Sequence, residues 1–189
     1  MKLGGLIAAL AVLAAASAAG AAPASLWVVD KTASAVRFSS SFGGEPFTGV
    51  FRRWDADIRF DPANLAGSSV TATIEVASAV TGNPDRDQAL PTAAFFVAAA
   101  FPKATYRASV FKVVGPNQYQ AIGELTLRGV RKPLTLPFRL VITGLQAKMN
   151  ATVVINRLAF GVGQNEWKAT TTLPAPVNVN IVLTARRAR

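Results

Sequence analysis

The side chains that most often carry catalysis or hold metals are missing from this 189-residue chain, which has no histidine and no cysteine. That excludes Ser-His-Asp and Cys-His relays, imidazole and thiolate zinc sites, His-ligated haem and disulfides. Any catalysis would rest on ten carboxylates, on lysines or on hydroxyls alone. Asp55-x-Asp57-x-x-x-Asp61 is a spacing that suggests a hard cation. An EF-hand also needs a further Gly and a distal Glu, both absent, so carboxylates alternating on a solvated strand fit better. Gly161-Val162-Gly163-Gln164-Asn165 resembles a phosphate loop. It lacks the following Lys-Ser/Thr and a strand-to-helix setting, and reads as a turn. Arg131 and Lys132 beside Pro133 are either an anion catch at an opening or ordinary loop charges. Arg157 interrupts an apolar strand end before Phe160-Gly161. It either satisfies loop carbonyls or contacts a ligand's head group.

The elements that would position these groups begin after a leader. Met1-Lys2 is followed by an apolar run from Leu3 to Ala16 and then by small residues. This is the layout of a secretory signal peptide spanning 1–21, with Ala19-Gly20-Ala21 as its cleavage site. The run is short for a membrane span, and its flank is Ala/Gly/Pro rather than a basic stop. The mature chain, 22–189, is long enough for one domain with a real core. Loss of Lys2 leaves 19 basic side chains against 10 acidic ones, a net charge of +9. Such a charge favours anionic partners. Phospholipid head groups, in transient contact with an anionic membrane surface, and pyrophosphates suit an exported chain and nucleic acid does not; the alternative is a basic surface that only keeps the protein soluble. An exported chain without disulfides must hold together by burial, which favours a well-closed fold.

Nearly every stretch that follows alternates with period two. In "ELTLRGVRKPLTLPF" (Glu124–Phe138), Leu125, Leu127, Leu134, Leu136 and Phe138 share one parity, and Gly-Val-Arg-Lys-Pro separates the two flanks. "SAVRFSSSF", "VTATIEV", "ATYRASVFKVV", "YQAIGELTL", "KMNATVVIN" and "VNVNIVLTA" read as further strands, and "VFRRWDADIRF" (Val50–Phe60) as one more. Turn residues separate them at Gly43-Gly44, Asp61-Pro62, Gly115-Pro116-Asn117, Thr143-Gly144 and Pro174-Ala175-Pro176. Between Thr81 and Pro102 the alternation stops. Asn83 or Asp85 caps a short helix that Pro91 ends, and an Ala/Phe-rich loop then lies over the sheet.

About eight amphipathic strands without long helices predict an all-β fold, an antiparallel barrel closed on itself. Its inward positions follow from parity. They are Phe38 and Trp54 on the early strands, then Ala72 and Ile74, then Ala121, Gly123 and Leu125. Leu136 and Phe138, then Met149, Ala151 and Val153, and finally Val179 and Ile181 complete the set. The many small residues in these rows favour a cavity. The alternative is that small and large side chains interdigitate, giving a filled barrel that docks on anionic membrane or a partner protein. These rows offer almost no titratable group, so an enzyme is not expected.

The ordered motifs have a family likeness. Trp27-Val28-Val29-Asp30, Ser34-x-Val36-x-Phe38, Gly49-x-Phe51 and Phe60-Asp61-Pro62 come first. Thr81-Gly82, Arg86-Asp87-x-x-Leu90, Phe95-Phe96 and Phe101-Pro102-x-Ala104-x-Tyr106 follow. Gly123-x-Leu125-Thr126-Leu127-x-Gly129-Val130-x-x-Pro133 and Arg157-x-x-Phe160-Gly161-Val162-Gly163 close the series. Across the mature chain this resembles the YceI-like family. The resemblance implies an extended lipocalin-like barrel, exported to the periplasm, that binds an isoprenoid lipid in its interior. A polyprenyl pyrophosphate or an isoprenoid quinone is the implied ligand, with no other cofactor; the chain would act as a monomer or a homodimer. Gln88, Val97 and Ala108 depart from the family's usual His, acidic residue and Ser, and they surround the helix and loop that should cover the barrel.

Overall fold

The computed structural model describes residues 23–188; the expected leader, 1–21, lies outside them. The strands are Leu26–Val29 (β1), Ala35–Phe42 (β2), Glu45–Phe51 (β3), Trp54–Arg59 (β4), Ser69–Glu75 (β5) and Ala79–Val80 (β6). The long ones follow: Lys103–Gly115 (β7), Gln118–Leu127 (β8), Val130–Thr143 (β9), Gln146–Asn156 (β10) and Pro176–Arg187 (β11). A six-residue helix, Pro84–Ala89 (α1), interrupts them.

Eight strands form a closed antiparallel ring in the order β1-β4-β5-β7-β8-β9-β10-β11, with β11 returning to β1. The expected barrel is therefore present, and β2, β3 and β6 are additional to the ring. They extend one edge: Asn178–Val182 of β11 pairs with β2, while Ala185–Arg187 pairs with β1. Two-residue turns set the register. Leu127 faces Val130 across Arg128-Gly129, both at positive φ (50° and 74°), the twist that suits a tight hairpin. The turn is thus shorter than the Gly-Val-Arg-Lys-Pro segment suggested, and Val130–Pro133 already belongs to β9. The stretch Val50–Phe60 is also not one strand. The chain bends at Arg52-Arg53, where the Arg52 N–H and the Arg53 N–H donate to Ser78 (O, 3.1 Å; Oγ, 3.0 Å). The inward row shifts by one position there, from Phe47 and Phe51 on β3 to Trp54, Ala56 and Ile58 on β4, so the single alternation that placed Val50 beside Trp54 does not hold.

The two ends of the barrel are closed differently. At one end Phe60 packs edge-on against Phe111, Tyr119 and Phe138, with ring centroids 5.3–5.8 Å away. The Trp27 indole N–H donates to the Phe60 carbonyl at 2.8 Å and ties β1 to this plug. At the other end lie α1 and the loop that follows it. The Asn83 side chain accepts the Arg86 N–H as the helix cap, Pro84 occupies the first turn, and the helix ends before Pro91 as expected. The Ala94 carbonyl then accepts the N–H groups of Gly163 (2.9 Å) and Gln164 (2.8 Å), and Arg128 donates to the Ala93 carbonyl at 2.8 Å. Phe95 and Phe96 point into the core and fix the loop as a lid.

Within the lid, Val97 stands at φ 51°, a region that β-branched residues rarely occupy. Its N–H donates to Thr92, and its carbonyl accepts from Ala100 and Phe101, each at 2.9 Å, so the conformation is held from both sides. Asn tolerates this region at lower cost than Val. Val97→Asn is expected to stabilise the protein by about 1 kcal/mol, raising Tm by roughly 2–4 °C. Thermal unfolding of the variant checks this, and a lower Tm would refute it.

Candidate functional site

Between the aromatic plug and the lid the interior is not filled by side chains. It holds a cavity of about 610 Å³, and residues from every strand of the ring contribute to its wall. Of the positions expected from parity, Phe38, Trp54, Ala72, Ile74, Ala121 and Leu125 line it. So do Leu136, Phe138, Met149, Val153, Val179 and Ile181. The cavity reaches solvent beside Asn83 and Asp85, two exposed residues of the α1 end that also border it.

Two expected wall positions do not open onto the cavity. Gly123 lies on the inward row, but β7 bulges opposite it between Ala108 and Val110. The bulge pushes the Arg107 carbonyl to where a Gly123 Cβ would be, so the glycine permits close backbone approach and adds no tunnel space. Ala151 is buried, and its register partners Phe138 and Ile181 reach past its methyl group and form the wall in its place.

Arg157 also borders the cavity, but its polar atoms are engaged elsewhere. It donates to the carbonyls of Pro174 (3.0 Å), Val162 (2.9 Å), Trp167 (2.6 Å) and Leu173 (2.7 Å). Burial pulls its pKa below the ordinary arginine value, and the four carbonyls supply the compensation a buried cation needs. At Gly163, with φ 87°, a Cβ would run into this guanidinium. Of the two roles open for Arg157, the geometry matches the satisfying of loop carbonyls and not the head-group contact: it ties together the segment between β10 and β11.

Other wall residues carry no periodic signal in the sequence. Leu90 and Phe96 come from the lid, Trp167 and Leu173 from the irregular segment before β11, and Phe47 and Phe51 from β3, of which only Val50-Phe51 fell in the stretch read as one strand with β4. Tyr106 was legible only as part of a motif. Its hydroxyl donates to the Ala121 carbonyl at 2.8 Å, and burial pushes its pKa up to about 12, so it stays neutral within the wall.

A closed antiparallel barrel with an aromatic plug, a lid and an apolar interior defines a lipocalin-like architecture built around an internal ligand space. Residues 27–185 match the YceI-like domain, and the chain belongs to that family. The UPF0312 protein of Pseudomonas savastanoi pv. phaseolicola is 31% identical over 165 residues, which cover 82% of this chain and 86% of that protein. Among solved structures, Burkholderia cenocepacia BcnA aligns with a TM-score of 0.80 at 31% identity, covering 82% of this chain and 98% of BcnA. A polyisoprenoid binding domain from Saccharophagus degradans, implicated in plant cell wall breakdown, has the same fold (TM-score 0.69, 18% identity, 87% and 99% covered).

Two substitutions separate wall from scaffold. Arg157→Lys removes the planar fork that reaches four carbonyls and is expected to cost about 3 kcal/mol or more in denaturant unfolding. A head-group residue would leave the unliganded protein's stability unchanged. Ala72→Phe projects a ring from a position flanked by Ala56 and Tyr106, toward the open space. Overpacking a filled core costs about 1–3 kcal/mol. Here a cost below about 1 kcal/mol is expected, read from the same unfolding curves.

Proposed function

We propose that this protein binds the hydrocarbon tail of an isoprenoid lipid in its barrel and acts in the periplasm as a carrier or store for it. The observation that carries this reading is the cavity of about 610 Å³, whose wall is almost wholly aliphatic and aromatic. At roughly 30 Å³ per carbon-sized group it accommodates about 20 carbons, on the order of four isoprene units. Each buried CH₂ contributes about 0.8 kcal/mol, so the tail alone reaches on the order of 10–16 kcal/mol before the entropic cost of association. Affinity of this kind needs no polar chemistry.

The printed description of the Saccharophagus degradans domain as polyisoprenoid binding supports the same class of ligand. Catalysis finds little support in the wall: among the described residues lining it, the charged ones are Asp85 and Arg86 at the opening and the fully bonded Arg157. The signal-like leader supports export, and the excess of basic residues supports transient contact with an anionic membrane surface.

The test is mass spectrometry of an organic extract of the purified protein. Polyprenyl lipid approaching one molecule per chain is expected from the wild type, and several-fold less from Ala72→Phe. Extracts free of lipid, together with no uptake of added prenyl lipid, would defeat the proposal.

A further inference from the structure

The positive charge of the chain is not spread evenly around the barrel. Strands β9, β10 and β11 are neighbours in the ring, and none of the three contains an aspartate or a glutamate. They carry Arg131, Lys132, Arg139, Lys148, Arg186 and Arg187. Arg131 reaches Glu124 of β8 at 3.7 Å, and the Arg187 guanidinium lies 5.2 Å from the Trp27 ring centroid. Lys132, Arg139, Lys148 and Arg186 are exposed and form no ion pair among the described residues. The opposite side of the ring, β4 and β5, has the other sign. Asp55, Asp57 and Glu75 stand there against Arg59, and the nearby Lys31 and Arg53 are engaged in ion pairs with Asp55 (2.8 Å) and Glu75.

The cationic face also exposes aliphatic side chains. Val154 of β10 is 57% exposed, and Val141 of β9, Val182 of β11 and Leu145 in the β9–β10 turn are exposed as well. The register interleaves them with the cations. Val141 pairs with Lys148, Arg139 and Val182 both pair with Asn150, and Val28 of β1 pairs with Arg186. The one aromatic residue of these three strands, Phe138, lines the tunnel instead. A protein partner is usually anchored by an aromatic or arginine side chain buried in a facing pocket. Single short aliphatics set among long, unpaired cations fit a fluid anionic surface better. There the cations meet phosphates at the head-group level and the aliphatics leave water.

We infer that the outer face of β9, β10 and β11 is the surface on which this protein docks to an anionic phospholipid bilayer. This rests on the membrane contact proposed above, to which it gives a place, and it is independent of the lipid held in the barrel. Each Lys or Arg brought to such a surface raises affinity about five-fold. The attraction fades within about 10 Å at 0.1 M salt, so only the wall turned toward the membrane contributes to it. The carboxylates of β4 and β5 disfavour the reverse orientation. The barrel therefore lies on its wall, not on its plug or its lid.

The experiment uses vesicles of phosphatidylglycerol mixed with phosphatidylcholine, compared with phosphatidylcholine alone. The protein should co-sediment with the anionic vesicles at about 0.1 M salt and be released as the salt is raised. Arg139→Glu combined with Lys148→Glu should weaken this binding at least about ten-fold. Arg52→Glu combined with Lys103→Glu, the same charge change at exposed positions outside the face, should weaken it less than about three-fold. Because the chain has no cysteine, one introduced cysteine carries a polarity-sensitive dye to a chosen point. A dye at Val154→Cys should shift to the blue on anionic vesicles, and a dye at Asp57→Cys on the opposite wall should not. Equal weakening by the two double variants, or a blue shift at 57 without one at 154, overturns the docking face and leaves the membrane contact standing. Failure of the wild type to bind anionic vesicles overturns both. The lipid content of the organic extract reads the barrel separately.

Discussion

Four residues close this molecule. Strand β1 hydrogen-bonds on both sides, pairing Leu26 and Trp27 with Arg59 and Ile58, and Trp27 to Val29 with Arg187 to Ala185. Without it, β4 and the Ala185–Arg187 end of β11 would be free edges and the ring an open sheet. The junction is reinforced beyond the ladder. The Phe60 N–H donates to Ser25 at 3.0 Å, the Ala188 N–H to Leu26 at 2.8 Å, and the Trp27 indole to Phe60 at 2.8 Å. A barrel whose interior is left open lacks the packing that usually holds two sheets together, so continuity of the backbone ladder must replace it. Everything else in the structure follows from keeping that ring closed around empty apolar space.

The ends show how the constraint is met. At the plug, Phe60 just past the end of β4 and rings from β7, β8 and β9 converge and pack edge to face. At the lid, irregular chain must cross the opening, and its backbone groups need partners away from water. Ala94, Ala93 and the four carbonyls around Arg157 are satisfied by groups from two connections, the β8–β9 turn and the segment between β10 and β11. A single buried guanidinium thus replaces a short ladder. The lid is consequently the part of the molecule with the fewest regular hydrogen bonds, and it lies beside the opening through which a lipid would pass.

Net charge gives a misleading picture of such a site. The chain carries +10, and a long-range field of that sign draws anions toward its surface. Recognition inside a tunnel depends instead on the few groups that border it, and at the opening the charged ones are Asp85 and Arg86, one of each sign. A long-range surface field and the contacts inside an apolar tunnel operate at different distances and in different dielectric surroundings, so the one does not determine the other.

Much of this was written in the period-two alternation. A leucine or phenylalanine every second residue fixes which face turns inward, so the rows through Leu125, Leu136, Met149 and Ile181 were legible without coordinates, as was the helix capped at Asn83 and stopped at Pro91. The absence of histidine and cysteine had already removed most catalytic and metal chemistry. Parity, however, is blind to a break that shifts the inward row within an apolar stretch, from Phe47 and Phe51 to Trp54 and Ala56 at the Arg52-Arg53 bend and from Tyr106 to Phe111 at the bulge opposite Gly123. It is blind also to the lid, where Leu90, Phe96 and Trp167 converge from segments with no period. Above all, an inward side chain is the same letter whether it meets another side chain or open space. Whether Ala151 or Ala72 borders the tunnel depends on how far its cross-strand neighbours reach, and whether Arg157 binds a ligand or a loop depends on which carbonyls the fold brings to it. Those are distances between residues far apart in the chain, and only the closed barrel sets them.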